Sequence, residues 1–257
     1  MNKKGKKGRI VIMLLIFLLS AVSALATYLN EPTPPNDGFT VVSSERRAYV
    51  GTMYKEAEAG NVSELSMTAS VVTRGWQGYY GNITGTIVLD DALNNSMYTW
   101  DLADPEGEVY ASRDNAINWS DGNIICADIS HIVTEESTFN FNGGVGQDVD
   151  GINETFNESS HPAFTVGNNT FTASECDFTV STYVDDAPAG VKRYFNETIL
   201  KSQSDDFMVY MAFIIQGGAD GFKNNIDANY DFQMLVPEDG HDGDTSTTNY
   251  YFWVELE

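Results

Sequence analysis

Phe207-Met208-Val209-Tyr210-Met211-Ala212-Phe213-Ile214-Ile215 is an unbroken apolar run of nine residues, rich in β-branched and aromatic side chains. A membrane-spanning helix needs about 20 such residues, so this run is too short to be one. Its length and composition predict a strand buried on both faces, at the centre of a sheet.

Around this run the chain alternates with period two, the mark of strands with one buried face. Ala228, Tyr230, Phe232 and Met234 interleave with Asn229, Asp231 and Gln233, and Tyr250–Leu256 reads as a closing strand. Asp227, Asn229 and Asp231 resemble cation ligands in type, but the alternation accounts for them as the wet face of a strand. Upstream, Leu65–Val71, Ile83–Leu89 and Cys176–Tyr183 follow the same pattern. Met97–Trp100 and Glu108–Ala111 flank Asp104-Pro105-Glu106-Gly107, a turn signal that predicts a hairpin between them. Short strands punctuated by turns predict a mainly β fold, an antiparallel β-sandwich or jelly roll. It occupies one domain over 44–257, preceded by an N-terminal hydrophobic helix. Residues 137–169, rich in Gly and Asn, read as a glycosylated insertion within that domain. Ser44–Ala59 predicts a helix with Ser44 as its cap, or else a strand through Ala48–Tyr54.

The first 26 residues supply an address. Lys3, Lys4, Lys6, Lys7 and Arg9 precede the 17 apolar or small residues of Ile10–Ala26, which end in Ala24-Leu25-Ala26, an A-x-A cleavage pattern. This has the form of a secretory signal. The same segment retained would be a membrane anchor at the lower limit of spanning length, with the rest exported by the positive-inside rule. A pilin-type leader cut near Lys7-Gly8 fits less well, because Arg9 would start the helix and no acidic residue follows early in it. Residues 27–43 form a linker, with Pro32, Pro34 and Pro35 in its middle.

Eight Asn-x-Ser/Thr triplets follow the leader, at Asn61, Asn82, Asn94, Asn118, Asn153, Asn157, Asn168 and Asn196. In an exported chain these are acceptors for N-linked sugar. Five of the 14 Lys and Arg and none of the 37 Asp and Glu precede Thr27, so the exported part carries a formal charge of −28. That excludes nucleic acid as a partner and confines any membrane contact to the N-terminal segment. The acidity suits a saline medium or bound divalent cations, and equally serves solubility. Cys126 and Cys176, 50 positions apart, predict one disulfide outside the cytosol, with two buried thiols as the alternative.

The densest local pattern is Arg74–Gly85, in which glycines alternate with Trp76, Tyr79 and Tyr80. A strand and not a helix follows it, against a dinucleotide-binding loop. Aromatics on a turn would offer a sugar-stacking platform, or else cover the end of the core. The runs WQGYYGNITGTIVLDD (76–91), MYTWDLADPEGEVYAS (97–112) and LVPEDGHDGDTSTTNYYFWVEL (235–256), with Asn118-Trp119 and Cys126, together resemble a family of uncharacterised exported surface proteins of small-genome archaea. The resemblance spans much of 74–257. It implies a surface location and a β-rich fold, and transfers no catalytic residue.

Calcium is the candidate ligand. Asp148, Asp150, Asn153 and Glu154 begin like an oxygen-ligand loop around Gly151, and Asp239, Asp242 and Asp244 form a second acidic turn. Neither has full EF-hand spacing, and Asp-Gly pairs also make plain turns. No zinc-protease, nucleophile-elbow or phosphate-loop motif accompanies His131, His161 and His241, so the sequence carries no enzyme reading and no cofactor. The expectation is an exported, glycosylated, acidic surface protein: an envelope-layer or filament subunit or adhesive module. It would self-assemble by strand addition at an open sheet edge, with Thr33–Val42 or the last strand as donor. The alternative is a secreted carbohydrate- or calcium-binding module.

Overall fold

A computed structural model of the chain describes residues 31–35, 38–46, 56–67, 72–102, 104–141, 148–182, 195–220, 229–240 and 246–256. The leader and its hydrophobic helix lie outside these residues. In chain order the strands are β1 (Trp76–Gly81), β2 (Gly85–Asp90), β3 (Ser96–Leu102), β4 (Gly107–Ser112), β5 (Ile124–Cys126), β6 (Phe164–Val166), β7 (Asn169–Phe171), β8 (Thr179–Thr182), β9 (Phe195–Ser202), β10 (Met208–Phe213), β11 (Ala219–Asp220), β12 (Asn229–Tyr230), β13 (Phe232–Pro237) and β14 (Tyr251–Leu256). Two helices, α1 (Ile129–Thr138) and α2 (Ile152–Thr155), lie between β5 and β6.

The apolar run forms β10, and all six of its residues are buried. It is the middle of a six-stranded antiparallel sheet ordered β14-β4-β10-β9, with β5 and β8 both on the far edge of β9. β8 pairs with Phe195–Thr198 and β5 with Leu200–Ser202, so two short strands share one edge. The pleat sends Val209, Met211 and Phe213 to one face, with Tyr110, Leu200 and Trp253. The β6–β7 hairpin covers that face with Phe164, Val166 and Phe171, together with Ile117 and Trp119 from the loop after β4. Met208, Tyr210 and Ala212 face the other way, where β13 and the two helices bring Met234, Val236, Ile132, Ile152 and Phe156. Burial on both faces explains why β10 reads as continuous and not alternating. Each large side chain so buried contributes about 1.5–3 kcal/mol.

Helix α1 starts where its chemistry permits. Asp128 Oδ1 accepts from the backbone N–H of Ser130 and His131, and His131 Nδ1 accepts from the Asp128 N–H, a reciprocal cap. Gly107 opens β4 at φ +122°, and a Cβ there would strike the Glu255 carbonyl of β14, so only glycine lets the two strands close.

Several expectations change. The Asp104–Gly107 turn does not build a hairpin: β3 pairs back onto β2, while β4 enters the large sheet between β10 and β14. The Gly-aromatic run is strand β1, paired antiparallel with β13, and not a turn. Leu65 and Met67 are exposed and in no strand, so their part of the expected buried stripe stays in solvent, and 68–71 lie outside the described residues. Most of Ser44–Ala59 also lies outside them, and Ser44–Arg46 and 56–59 are neither helix nor strand. Residues 137–169 supply Phe139, Phe141, Ile152, Phe156, Phe164 and Val166 to the core. Thr33 of the linker forms an antiparallel bridge to Val254 on the chain's own β14, with N···O distances of 3.0 and 2.8 Å. Among the described residues no helix is long and apolar enough to cross a membrane.

Candidate functional site

Two features stand out: an acidic junction between α1 and α2, and an uncovered ribbon, β2–β3.

The junction begins at the turn Asp148–Gly151, closed by Gly151 N–H donating to the Asp148 carbonyl at 3.2 Å. Asp150 is turned toward β1. Its carboxylate accepts from the Thr73 hydroxyl, and its carbonyl accepts from the Trp76 indole N–H at 2.6 Å. The Trp76 ring lies 5.9 Å from both Phe141 and Phe156, and Tyr79 stands edge-on to Phe252 at 5.2 Å. Trp76 and Tyr79, both half-buried, therefore pack against the core, as the covering reading of this run expects.

Glu136, in the last turn of α1, is 1% exposed. Its Oε1 accepts the Asn153 N–H at 3.0 Å at the start of α2, while Oε2 has no partner. Glu154 repeats the arrangement: Oε1 accepts from the Asn153 amide at 3.2 Å, and buried Oε2 has no partner. A Cβ placed on Gly151 would collide with Glu154 Oε2 and lie 3.2 Å from Glu136 Oε1 and 3.3 Å from the Asp148 carbonyl. Three oxygens, one from α1, one from the 148–151 turn and one from α2, thus crowd the side of one glycine where a Cβ would stand. Burial raises the Glu136 pKa above the ordinary carboxylate value; the Asn153 and Ile152 N–H groups oppose this, and the Glu154 and Asp148 charges add to it. Sequence reasoning missed Glu136, since no motif links it to a loop 12 residues on. Asn153 acts through its N–H and as a donor to Glu154, and Asp150 points elsewhere.

The second acidic turn does not join this place. Asp239 Oδ2 accepts from Asn140 at 2.6 Å, and Asp242 and Asp244 lie outside the described residues. Among the described residues no three His, Cys, Asp or Glu side chains come together closely enough to hold an ion by themselves. The two described histidines are occupied by backbone: His131 caps α1, and buried His161 accepts the Cys176 N–H at 2.9 Å through Nε2 while Nδ1 meets the Pro162 carbonyl at 2.6 Å.

Cys126 and Cys176 are at disulfide distance, with Cα atoms 5.2 Å apart. Of the sequon asparagines, Asn61, Asn82, Asn94, Asn118, Asn157 and Asn168 are exposed, and Asn153 and Asn196 are half-buried.

Among the described residues, strands β2 and β3 pair with each other and with no other strand. Asp91 shapes their turn, accepting from the Leu93 and Asn95 N–H groups at 2.8 and 2.9 Å, with Asn94 at φ +62°. The register sets Ile87 opposite Trp100 and Leu89 opposite Tyr98, so these four side chains share one face. They are 51, 47, 50 and 57% exposed, and the Tyr98 and Trp100 rings lie 4.7 Å apart. The signal for this ribbon was the Asp91–Asn95 turn cluster, which the stronger-looking Asp-Pro-Glu-Gly turn outweighed.

Comparison with known proteins finds no matching family model, no matching curated protein and no matching solved structure.

Proposed function

We propose that this chain is an exported, glycosylated, acidic surface protein of archaeal type. Its antiparallel β-sandwich is a structural or adhesive subunit of an envelope layer or filament, and copies meet through the β2–β3 ribbon. The observation that carries the reading is the uncovered face Ile87, Leu89, Tyr98 and Trp100. A two-stranded ribbon is marginal in water by itself, and contiguous exposed apolar groups mark an interaction surface. Charge chooses the partner. The chain carries −23 overall, yet 85–89 and 92–100 contain no charged residue, so here two copies approach with least repulsion. Sequons at Asn82 and Asn94 bracket the face, leaving it clear between any sugars they carry. Export itself is supported by the form of the leader, the disulfide-distance cysteines and the exposure of six sequon asparagines.

Sedimentation and electron microscopy in molar salt test the reading. The native protein assembles, and the paired substitution Ile87→Asp and Trp100→Asp leaves monomers with an unchanged melting temperature. A native protein that stays monomeric, or a variant that assembles equally well, refutes it.

A further inference from the structure

We infer that the junction of α1 and α2 binds a calcium ion through the Glu136 and Glu154 carboxylates and the Asp148 carbonyl. Acidity alone does not carry this. What carries it is that two buried carboxylate oxygens, Glu136 Oε2 and Glu154 Oε2, have no hydrogen-bond donor, and that their carboxylates meet at Gly151, Glu154 through Oε2 itself and Glu136 through its other oxygen, Oε1. A buried oxygen without a donor loses its hydration with no return. Neither carboxylate pairs with a basic side chain among the described residues; the ion pairs of this region go elsewhere, Arg113 to Glu135 and Lys201 to Asp206.

The bland reading is that Glu136 serves only to anchor α2. Its Oε1 does so through the Asn153 N–H. That leaves its Oε2, and the Oε2 of Glu154, without a donor. A proton or a cation would each satisfy the pair. The chemistry favours a cation of the hard class. All the convergent atoms are oxygens, one is a main-chain carbonyl, and the absence of a Cβ on Gly151 lets them draw together. Zinc prefers nitrogen and sulfur. Magnesium demands a near-ideal octahedron that three oxygens from a turn and two helices do not offer, whereas calcium tolerates irregular sets of 6–8 oxygens completed by water. Two carboxylates are a modest charge count, so the affinity belongs with extracellular modules, a Kd of about 0.1–1 mM.

The site would have a structural consequence. It joins the end of α1 to the 148–155 turn, which the Asp150 carbonyl in turn fastens to Trp76 of β1. Bound calcium therefore locks the layer that covers one face of the large sheet.

The test uses the exported, disulfide-intact protein. Terbium replaces calcium as a luminescent probe, and Trp76 is placed to sensitise it. We expect terbium emission excited through tryptophan and displaced by calcium. At ten times Kd, calcium raises the melting temperature by about 3–6 °C. Glu136→Gln and Glu154→Gln each weaken binding at least tenfold, and Gly151→Ala does the same by pushing the Glu154 carboxylate aside, whereas Asp239→Asn changes nothing. Since Glu136 is deeply buried, the half-buried Glu154 variant keeps the test decisive if Glu136→Gln does not fold. Absent emission with no thermal shift overturns the inference, as does calcium binding undiminished in the Glu154 and Gly151 variants. So does a Glu136→Gln protein that is simply more stable and indifferent to calcium, the mark of a shared proton.

Discussion

Arg113→Ala should be among the most damaging substitutions that leave the hydrophobic core intact. The Arg113 guanidinium sits 2.6 Å from Glu135 Oε2, and Tyr210 OH donates to Oε1 at 3.1 Å. Glu135 is 4% exposed, on the face of α1 that packs against the sheet. The guanidinium also lies over two rings, 5.0 Å from Phe139 and 5.5 Å from Phe207. Truncating the arginine leaves a buried carboxylate with the Tyr210 phenol and the more distant charge of Lys201. Breaking a buried pair in this way costs about 3–5 kcal/mol. For a domain of this size that is about 6–20 °C in Tm. Denaturant unfolding at pH 7, followed by fluorescence of the buried Trp119 and Trp253, measures it. The argument makes a second demand: Glu135→Gln added to Arg113→Ala should restore part of the loss, because the uncompensated charge is gone. A loss under about 1 kcal/mol, or strictly additive single and double variants, would refute the reasoning.

Two further outcomes follow from buried groups. Burial raises the Glu197 pKa well above the ordinary range, against one N–H from Leu235 at 2.7 Å. The folded state therefore holds this proton more tightly than the unfolded one, so the contribution of Glu197 to stability is greatest in acid and declines as pH rises from about 4.3 through the folded pKa. Melting curves across pH should show this decline in the native protein and a flatter profile in Glu197→Gln; parallel profiles would count against it. Replacing Cys126 and Cys176 by serine opens a loop of 50 positions and should cost about 4 kcal/mol in the chain-entropy account. Unfolding under reducing conditions should give the same loss in the native chain and none in the double variant.

How much of this was legible depended on what each strand buries. β10 could be read because both faces are apolar, and β14 and β13 because their patterns run long enough to show. β9 could not: Glu197 and Lys201 sit on it, 0 and 6% exposed, and a buried strand carrying charges has no hydrophobic signature. α1 was hidden for the same reason, since two of its three buried residues are glutamates. The Asp104–Gly107 motif misled because turn chemistry reports a local bend and not which strand lies beside which. Pairing was decided at long range, where β4 finds β10 and β14. At the acidic junction, the loop half was visible from Asp148 and Glu154. Glu136 was not, because helix packing alone brings it there.

The antiparallel bridge between Thr33 and Val254 also sets how the molecule bears load. Antiparallel pairing places whatever precedes Thr33 beside whatever follows Val254, so both ends of the described chain depart from the same corner. Tension between those ends would part the bridge's two hydrogen bonds like a zip, one after another. Under load the paired ends are thus a seam that yields one bond at a time.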